Sequence, residues 1–337
     1  MSVDRRSLAR SAVTRRQFIR DTGAAAGIVV TASALSTNTA VANANVTTTA
    51  TAAARGAQST ALTWLLAREA FDNLANPVLG GSPKVCQSAF GTGSTWFSTT
   101  YTGDNTIASP VPPGYSGVAV LKFASYQNGS TGLVDALAAG LPAWVAAVQY
   151  DAESWVSTPD IEQGSWLLNG HTQISYAQEF CATAHSRNLK VVLSPGNDLC
   201  NNSPNPAYPG RRPQYPITSK DGGMDYNAFV RHRLADAAQY LAPGDIFEYQ
   251  GQQLELDAAT YSTITTKVAN QVKAANPGAL FLAGLGRSKP PSDGATCLEL
   301  TAAATGVAGV AAGYWPNVDA YSSQVRPMIC CLKKLGF

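Results

Sequence analysis

The sequence predicts a (β/α)8 TIM-barrel-like fold, regular or irregular, with parallel strands inside and helices outside. Three observations predict it. Short apolar runs alternate with longer amphipathic segments from about residue 117, polar residues keep one parity within two of the runs, and no glycine-rich phosphate loop follows the first run. Strand–helix alternation is typical of parallel pairing with crossover helices. An open doubly wound sheet is the alternative, and the missing phosphate loop disfavours it.

The apolar runs and the segments between them define six predicted strands and five predicted helices. The predicted strands are 118–125, 143–151, 190–194, 245–250, 279–285 and 307–314. The predicted helices are 132–139, 172–186, 225–241, 258–275 and 294–305. Asp257 is a predicted N-cap, and Asn276-Pro277-Gly278 is a helix stop signal. Before residue 117 the sequence predicts a helix within 61–74, then hairpins and loops.

Residues 1–44 have the features of a twin-arginine export signal. Arg15-Arg16 and Phe18 precede an apolar stretch over 23–35 and a small-x-small site at Ala42-Asn43-Ala44. The apolar stretch is shorter than the roughly 20 residues of a stable membrane span. Residues 45–60 are predicted to be a flexible low-complexity arm, and 61–337 a single barrel domain. We therefore expect the twin-arginine machinery to export the protein, which is then secreted, either extracellular or periplasmic.

Composition restricts the possible partners. The chain has 337 residues, 45% hydrophobic and 14% charged, with a formal net charge of +2. Six arginines and two aspartates lie in 1–44, so residues 45–337 carry a net charge of −2. This balance disfavours a nucleic-acid partner. The six cysteines predict one to three disulfides in an exported protein, with connectivity left open.

Several catalytic motifs are absent from the sequence. It contains no G-x-S-x-G, no G-x-G-x-x-G and no Walker A loop, and its three histidines lack metal-ligand spacing. We therefore expect no metal and no cofactor. Among the histidines, His171 is the one expected near a site, because it lies in a Gly- and Asn-rich loop after the second predicted strand.

Polar residues interrupt strands that should be almost wholly apolar in a parallel barrel. Two predicted strands each carry, with their continuation, three polar residues of one parity, which would face one side of the strand. The two sets are Gln149, Asp151 and Glu153, and Glu248, Gln250 and Gln252. Lys122 interrupts the first predicted strand. The acids come late in their strands, at the end where such barrels place their active sites.

These acids favour acid/base chemistry on a sugar. We expect Glu153 to be the general acid or base, Glu248 its counterpart, and Asp151 the group that holds Glu153 and adjusts its pKa. Aromatic rings stack on sugar faces, while amides and acids bind hydroxyl groups. The predicted substrate-binding residues are Gln250, Gln252, Asn197, Asp198, Tyr314, Trp315, Trp155, Lys122 and His171.

Two other functions fit the same residues. Polar groups in strands also form structural networks without chemistry, which fits a non-catalytic carbohydrate- or wall-binding barrel. A cofactor-free lyase or isomerase acting on a small metabolite would instead pair Lys122 with Glu153 or Glu248. Four other acids are predicted to be helix-start residues, the last two of them solvated. They are Asp160, Glu162, Glu255 and Asp257.

Three stretches resemble a group of secreted actinobacterial glycoside-hydrolase-like barrel proteins. They are 148–163 (VQYDAESWVSTPDIEQ), 245–255 (DIFEYQGQQLE) and 283–285 (AGL). The resemblance covers roughly residues 117–318 and implies a barrel that acts on carbohydrate. The piece 150–153 is also similar to the strand-end acidic motif of family 18 chitinases. Ala147 and Gln149 occupy two earlier acid positions of that motif, which argues against its substrate-assisted reaction.

Overall fold

The computed structural model describes residues 61–101, 109–127, 132–153, 157–167, 175–200, 226–251, 254–286 and 295–337. Within these ranges eight parallel strands close into a barrel in chain order, with β1 paired to β8. The strands are β1 (Thr63–Ala67), β2 (Thr95–Thr100), β3 (Val118–Phe123), β4 (Ala147–Tyr150), β5 (Lys190–Leu193), β6 (Ile246–Tyr249), β7 (Leu280–Leu285) and β8 (Gly313–Pro316). The predicted (β/α)8 fold is confirmed. The predicted export signal and arm lie outside the described residues.

Helices surround the barrel. They are α1 (Arg68–Ala75), α2 (Pro83–Phe90), α3 (Leu133–Ala139), α4 (Asp160–Leu167), α5 (Tyr176–His185), α6 (Tyr226–Arg231), α7 (Ala258–Ala275), α8 (Cys297–Val307) and α9 (Ser322–Lys334). Short 3₁₀ helices cover Pro77–Leu79, Asn197–Cys200, Leu234–Tyr240 and Leu254–Leu256. In the part of the chain that the structure describes, no helix has the length and hydropathy needed to cross a membrane.

Two strands lie before residue 117, where the sequence analysis predicted a helix and hairpins. Thr63–Ala67 form β1, and the helix begins only at Arg68. Thr95–Thr100 form β2, which pairs in parallel with both β1 and β3 instead of forming a hairpin. The prediction for β1 was wrong because a short apolar run, buried on both faces, has no period that separates strand from helix.

Later elements agree with the prediction more closely. Helix α7 spans the predicted residues 258–275, and the Asp257 side chain accepts hydrogen bonds from the amides of Ala259 and Thr260. The last strand begins at Gly313 and not at residue 307, because α8 continues to Val307. The predicted helix over 225–241 is divided at Arg233, whose φ of 56° is left-handed and interrupts the helix.

The strands separate two apolar layers. An inner layer fills the lumen with one buried residue from each of the first seven strands: Leu65, Trp96, Val120, Ala147, Val192, Ile246 and Leu282. Residues of the opposite parity, such as Phe247 and Tyr249, belong to the larger cluster between strands and helices. In four strands the residue two positions after the inner-layer residue has a polar side chain, which is a charged group, an amide or a hydroxyl. Polar groups therefore lie above an apolar floor in the lumen. They are Ser98 on β2, Lys122 on β3, Gln149 on β4 and Glu248 on β6.

One disulfide is present, between Cys297 of α8 and Cys330 of α9. It falls at the lower end of the predicted one to three. Cys86, Cys181 and Cys331 are buried thiols. Burial raises the pKa of Cys86 to about 12 and that of Cys331 to about 11. Because the thiolate is the reactive form, these cysteines are unsuited to nucleophilic chemistry.

Removing the disulfide should destabilise the barrel. It closes a loop with a sequence separation of 33, and the chain-entropy model gives about 3–4 kcal/mol for a loop of that size. We expect the double variant Cys297→Ser/Cys330→Ser to lose about that much free energy of unfolding in urea. As the matched control, a reductant should destabilise the wild type but not the double variant. Equal sensitivity of both proteins would contradict the prediction.

Candidate active site

A chain of hydrogen bonds crosses the lumen just above the apolar floor. The Ser98 hydroxyl on β2 donates to Gln149 Oε1 at 2.7 Å, and Gln149 Nε2 donates to the Ser194 hydroxyl oxygen at 2.9 Å. Ser194 directly follows β5, so the chain joins three strands through side chains alone. All three side chains are buried, and a buried polar group that lacks a partner is costly. The chain therefore satisfies polar groups that the strand period places in the interior.

Asp151, immediately after β4, is held by two donors. Lys122 Nζ lies 2.9 Å from its Oδ2, and Gln250 Nε2 donates to its Oδ1 at 2.8 Å. Gln250 Nε2 also donates to the backbone carbonyl of Ser194 at 3.2 Å. Lys122 thus forms an ion pair with Asp151, a partner that the lyase or isomerase hypothesis did not name. Because β3 and β4 are adjacent strands, Lys122 reaches Asp151 at the same end of the lumen.

Glu248 is the most unusual group in the lumen. Its side chain is 0% exposed, and neither carboxyl oxygen has a hydrogen-bond partner of normal geometry among the described residues. Burial raises its pKa well above the ordinary value, and the negative charges of Asp151 and Glu153 raise it further. The nearby Ser194 hydroxyl and the charge of Lys122 act in the opposite direction, but less strongly than burial. Burial and the negative charges beside it therefore favour the protonated form of Glu248.

Glu153 lies at the C-terminal end of the barrel, three residues beyond the end of β4. It is 9% exposed, and its backbone amide donates to the Thr158 hydroxyl at 3.3 Å. Gly196, after β5, packs directly against it: a Cβ there would lie 3.0 Å from Glu153 Cγ and 2.6 Å from Asp198 Oδ1. A residue without a side chain is therefore required for this close approach. Gly196 thus brings Glu153 and Asp198 together.

Asn197 joins the same group from the 3₁₀ helix after β5. Its Nδ2 donates to the backbone carbonyl of Gln250. Its Oδ1 is buried and has no hydrogen-bond partner in the described part of the chain. Seven of the residues predicted for the site therefore gather at the C-terminal end of the lumen. They are Lys122, Asp151, Glu153, Asn197, Asp198, Glu248 and Gln250.

The structure places Tyr314 outside the lumen. Its ring packs 5.7 Å from that of Trp64, and its hydroxyl donates to the backbone carbonyl of Ala304 in α8 at 2.8 Å. It lies between strands and helices, so its predicted place in the substrate site needs correction. The next residue, Trp315, is half-buried and packs against the inner layer, because adjacent strand residues face opposite sides. Trp155, His171 and Gln252 lie outside the described residues.

The structure gives Asp151 neighbours that the sequence did not indicate. Asp151 was expected to hold Glu153 and to adjust the pKa of that residue. In the structure its oxygens bind Lys122 and Gln250, and its negative charge raises the pKa of Glu248. Glu248 and Asp151 face the lumen from different strands. Spacing along one strand does not reveal that two such residues are close together.

Two acids predicted to be helix-start residues are buried. Glu162, in the first turn of α4, accepts hydrogen bonds from the Ser125 hydroxyl, the amides of Tyr126 and Gln127 and the Tyr150 hydroxyl, and so fixes the chain after β3. Glu255 was expected to be solvated, but it is fully buried and accepts a hydrogen bond from the Gly286 amide at 2.8 Å. Both carboxylates stabilise loops at the strand ends.

Sequence reasoning missed two lumen residues and left a third without a role in the site. Ser98 was missed because β2 was not predicted as a strand, although its position two residues after Trp96 would have placed it in the lumen. Ser194 is the last residue of a predicted strand, and its hydroxyl group at that position was the signal that could have identified it as a lumen residue. Gln149 was recognised in the polar set only. Among the described residues, no group of three or more His, Cys, Asp or Glu side chains could hold a metal ion.

Comparison with known proteins gives weak matches only. No family model and no curated protein matches the chain. Among solved structures, Ttha1563 from Thermus thermophilus matches with a TM-score of 0.26 and 12% identity, over 47% of this chain and 40% of that one. A cyclomaltodextrinase matches with a TM-score of 0.25 and 17% identity, over 45% of this chain and 31% of that one. The chain thus spans less than half of either protein, and its function must be inferred from its lumen.

The Lys122–Asp151 ion pair should be measurable as a coupling energy. Lys122→Met leaves Asp151 buried without its cation, and we expect it to lower the free energy of unfolding by about 1–3 kcal/mol at neutral pH. Adding Asp151→Asn should recover part of this loss, with a coupling of about 1–2 kcal/mol in a double-mutant cycle from urea unfolding. Strictly additive single effects would contradict the ion pair.

The raised pKa of Glu248 predicts a pH-dependent gain in stability for Glu248→Gln. Above the ordinary pKa of about 4.5, the folded wild type keeps a proton that the unfolded chain releases. Wild-type stability therefore falls as pH rises from that value towards the folded pKa, by at most about 1.4 kcal/mol per pH unit. A neutral amide lacks this dependence.

Urea unfolding between pH 4 and pH 8 checks this sign. The stability of Glu248→Gln relative to wild type should rise with pH above about 4.5, the ordinary pKa. The matched control is Glu69→Gln, which changes an exposed carboxylate on α1 and should give no such trend. A constant difference between Glu248→Gln and wild type across the range would show that Glu248 ionises normally.

Proposed function

We propose that the protein is a carbohydrate-cleaving enzyme of the glycoside hydrolase type, acting through Glu248 and Glu153 at the C-terminal end of the barrel. The observation that carries the proposal is Glu248, a fully buried carboxyl whose pKa is raised by burial and by the negative charges of Asp151 and Glu153. Two further acids lie beside it. Glycoside hydrolysis needs one carboxyl that is protonated and one that is ionised.

The environments of the two acids assign their roles. Burial and the neighbouring negative charges favour the protonated form of Glu248, so it is the general acid that protonates the leaving-group oxygen. Glu153 lies nearer the solvent, at the end of β4, and is the carboxylate that acts as base or nucleophile. Asp151 is a positioning residue: Lys122 and Gln250 fix it, and its charge favours the protonated form of Glu248. Trp315 supplies an aromatic surface for a sugar ring.

A second candidate is a lyase or isomerase that acts on a small molecule. The complete burial of Glu248 favours it, since a polymer requires an open groove beside the acid. Turnover of simple glycosides but not of polysaccharides would fit a small glycoside as substrate. Elimination or isomerisation of a monomeric sugar without any glycosidic cleavage would favour the second candidate. Export by the twin-arginine route remains part of the proposal as a sequence-based prediction.

Substitution of each acid tests the proposal. The protein is first screened against 4-nitrophenyl glycosides and polysaccharides for released phenol and reducing ends. On a hydrolysed substrate, Glu248→Gln and Glu153→Gln should each lower kcat/KM by about 10²- to 10⁴-fold, because each removes a proton-transfer or nucleophilic group. Circular dichroism should report an unchanged fold. Glu69→Gln is the matched control and should retain wild-type turnover. Wild-type rates in both lumen variants would rule out the assignment.

A further inference from the structure

The lumen holds a buried polar atom that has no hydrogen-bond partner among the described residues, the side-chain oxygen Oδ1 of Asn197. Asn197 is 3% exposed. The carbonyl of Gln250 can only accept a hydrogen bond, so the amide nitrogen of Asn197 must face it. This contact fixes the orientation of the amide and directs Oδ1 away from Gln250. Oδ1 is left buried without a donor from any residue that the structure describes.

Asn197 and Glu248 belong to one cluster. Gln250 stands two residues after Glu248 with the same parity, and its carbonyl binds Asn197 while its side chain binds Asp151 and Ser194. Asp151 and Ser194 are also the groups whose charge and hydroxyl act on Glu248. On the other side, Gly196, the neighbour of Asn197, packs against Glu153. Asn197 therefore shares neighbours with both proposed catalytic acids.

The unmet hydrogen-bonding capacity of this cluster specifies a ligand. Asn197 Oδ1 requires a donor, whereas the proton of neutral Glu248 requires an acceptor. A hydroxyl group next to an ether oxygen, as in a glycoside, supplies both. A carboxylate or phosphate supplies no donor and meets the charges of Asp151 and Glu153. An ammonium group supplies donors but no acceptor for Glu248.

We propose that Asn197 is a substrate-binding residue whose Oδ1 accepts a hydrogen bond from a hydroxyl group of a neutral sugar, while Glu248 faces the adjacent ether oxygen. This inference rests on the proposed function and adds a substrate class to it. The site selects uncharged, hydroxyl-bearing sugars over sugar acids, sugar phosphates and amino sugars. Asn197 contributes to this selectivity because a deoxy or anionic ligand leaves its buried Oδ1 without a hydrogen-bond donor. The unpaired amide lowers the affinity for such a ligand.

Binding of simple glycosides to the full chain tests the proposal without requiring turnover. The probes are the neutral methyl glycosides of glucose, galactose, mannose and xylose, with methyl glucuronide and methyl glucosaminide as charged counterparts. Isothermal titration and saturation-transfer NMR measure their affinities. We expect at least one neutral glycoside to bind the protein. The charged counterparts should bind the protein at least about tenfold more weakly, which is the equivalent of one lost hydrogen bond.

The chain offers a matched control for Asn197. Asn73 is also buried, and its Nδ2 also donates to a backbone carbonyl, that of Val318, but on the outer side of the barrel. Asn197→Ala should weaken binding of the neutral probe by about tenfold or more, whereas Asn73→Ala should leave affinity unchanged. Thermal unfolding checks that both variants fold. Asn197→Asp retains an acceptor oxygen and should bind the probe more tightly than Asn197→Ala.

Several results would overturn the inference. They are failure of every neutral glycoside to bind, equal affinity for a charged counterpart, equal effects of Asn197→Ala and Asn73→Ala, and equal losses in Asn197→Ala and Asn197→Asp. Failure of the proposed function is separately visible, since it appears as wild-type turnover in Glu248→Gln and Glu153→Gln. Loss of turnover in those variants together with wild-type binding in Asn197→Ala would contradict this inference alone.

Discussion

The candidate site depends on the two-residue period of the barrel strands. Val120, Ala147 and Ile246 fill the lumen, and the same parity two residues later places Lys122, Gln149 and Glu248 directly above them. A shift of one residue in any of these strands would turn the polar side chain towards the outer apolar layer and put an aliphatic or aromatic residue in its place in the lumen. The requirement for a closed apolar core therefore also fixes the end of the lumen at which the charged groups meet.

The charges in the lumen are not equivalent. Asp151 has a cation and an amide donor on its two oxygens, so its charge is compensated where it lies. Glu248 is buried more completely and has neither, and the neutral form relieves the cost of burial. Lys122 and Gln250 thus bind the oxygens of Asp151, whereas burial favours the protonated form of Glu248. Such a division between adjacent carboxyls is typical of acid/base sites, and it is the reason that we assign chemistry to this end of the barrel.

The sequence predicted the barrel, its later strands and the facing of most lumen residues. Parity within a strand is a local property, so Asp151 and Glu248 were placed correctly in the lumen before their neighbours were known. Pairing across strands is not a local property. The sequence therefore could not show that Lys122 pairs with Asp151 in preference to Glu153 or Glu248. Tyr314 shows the limit differently: its position late in a predicted strand suggested the site, but its parity relative to Trp315 could not be fixed until β8 had been located.

The apolar floor of the lumen has a consequence for the return of the proton to Glu248. Seven packed side chains close the barrel below Glu248, and a dry apolar layer offers no path for proton exchange. In the proposed reaction, a proton that Glu248 gives up must be replaced from the end through which the sugar leaves. The substrate, the product and the water that returns the proton to Glu248 would then all pass through one opening.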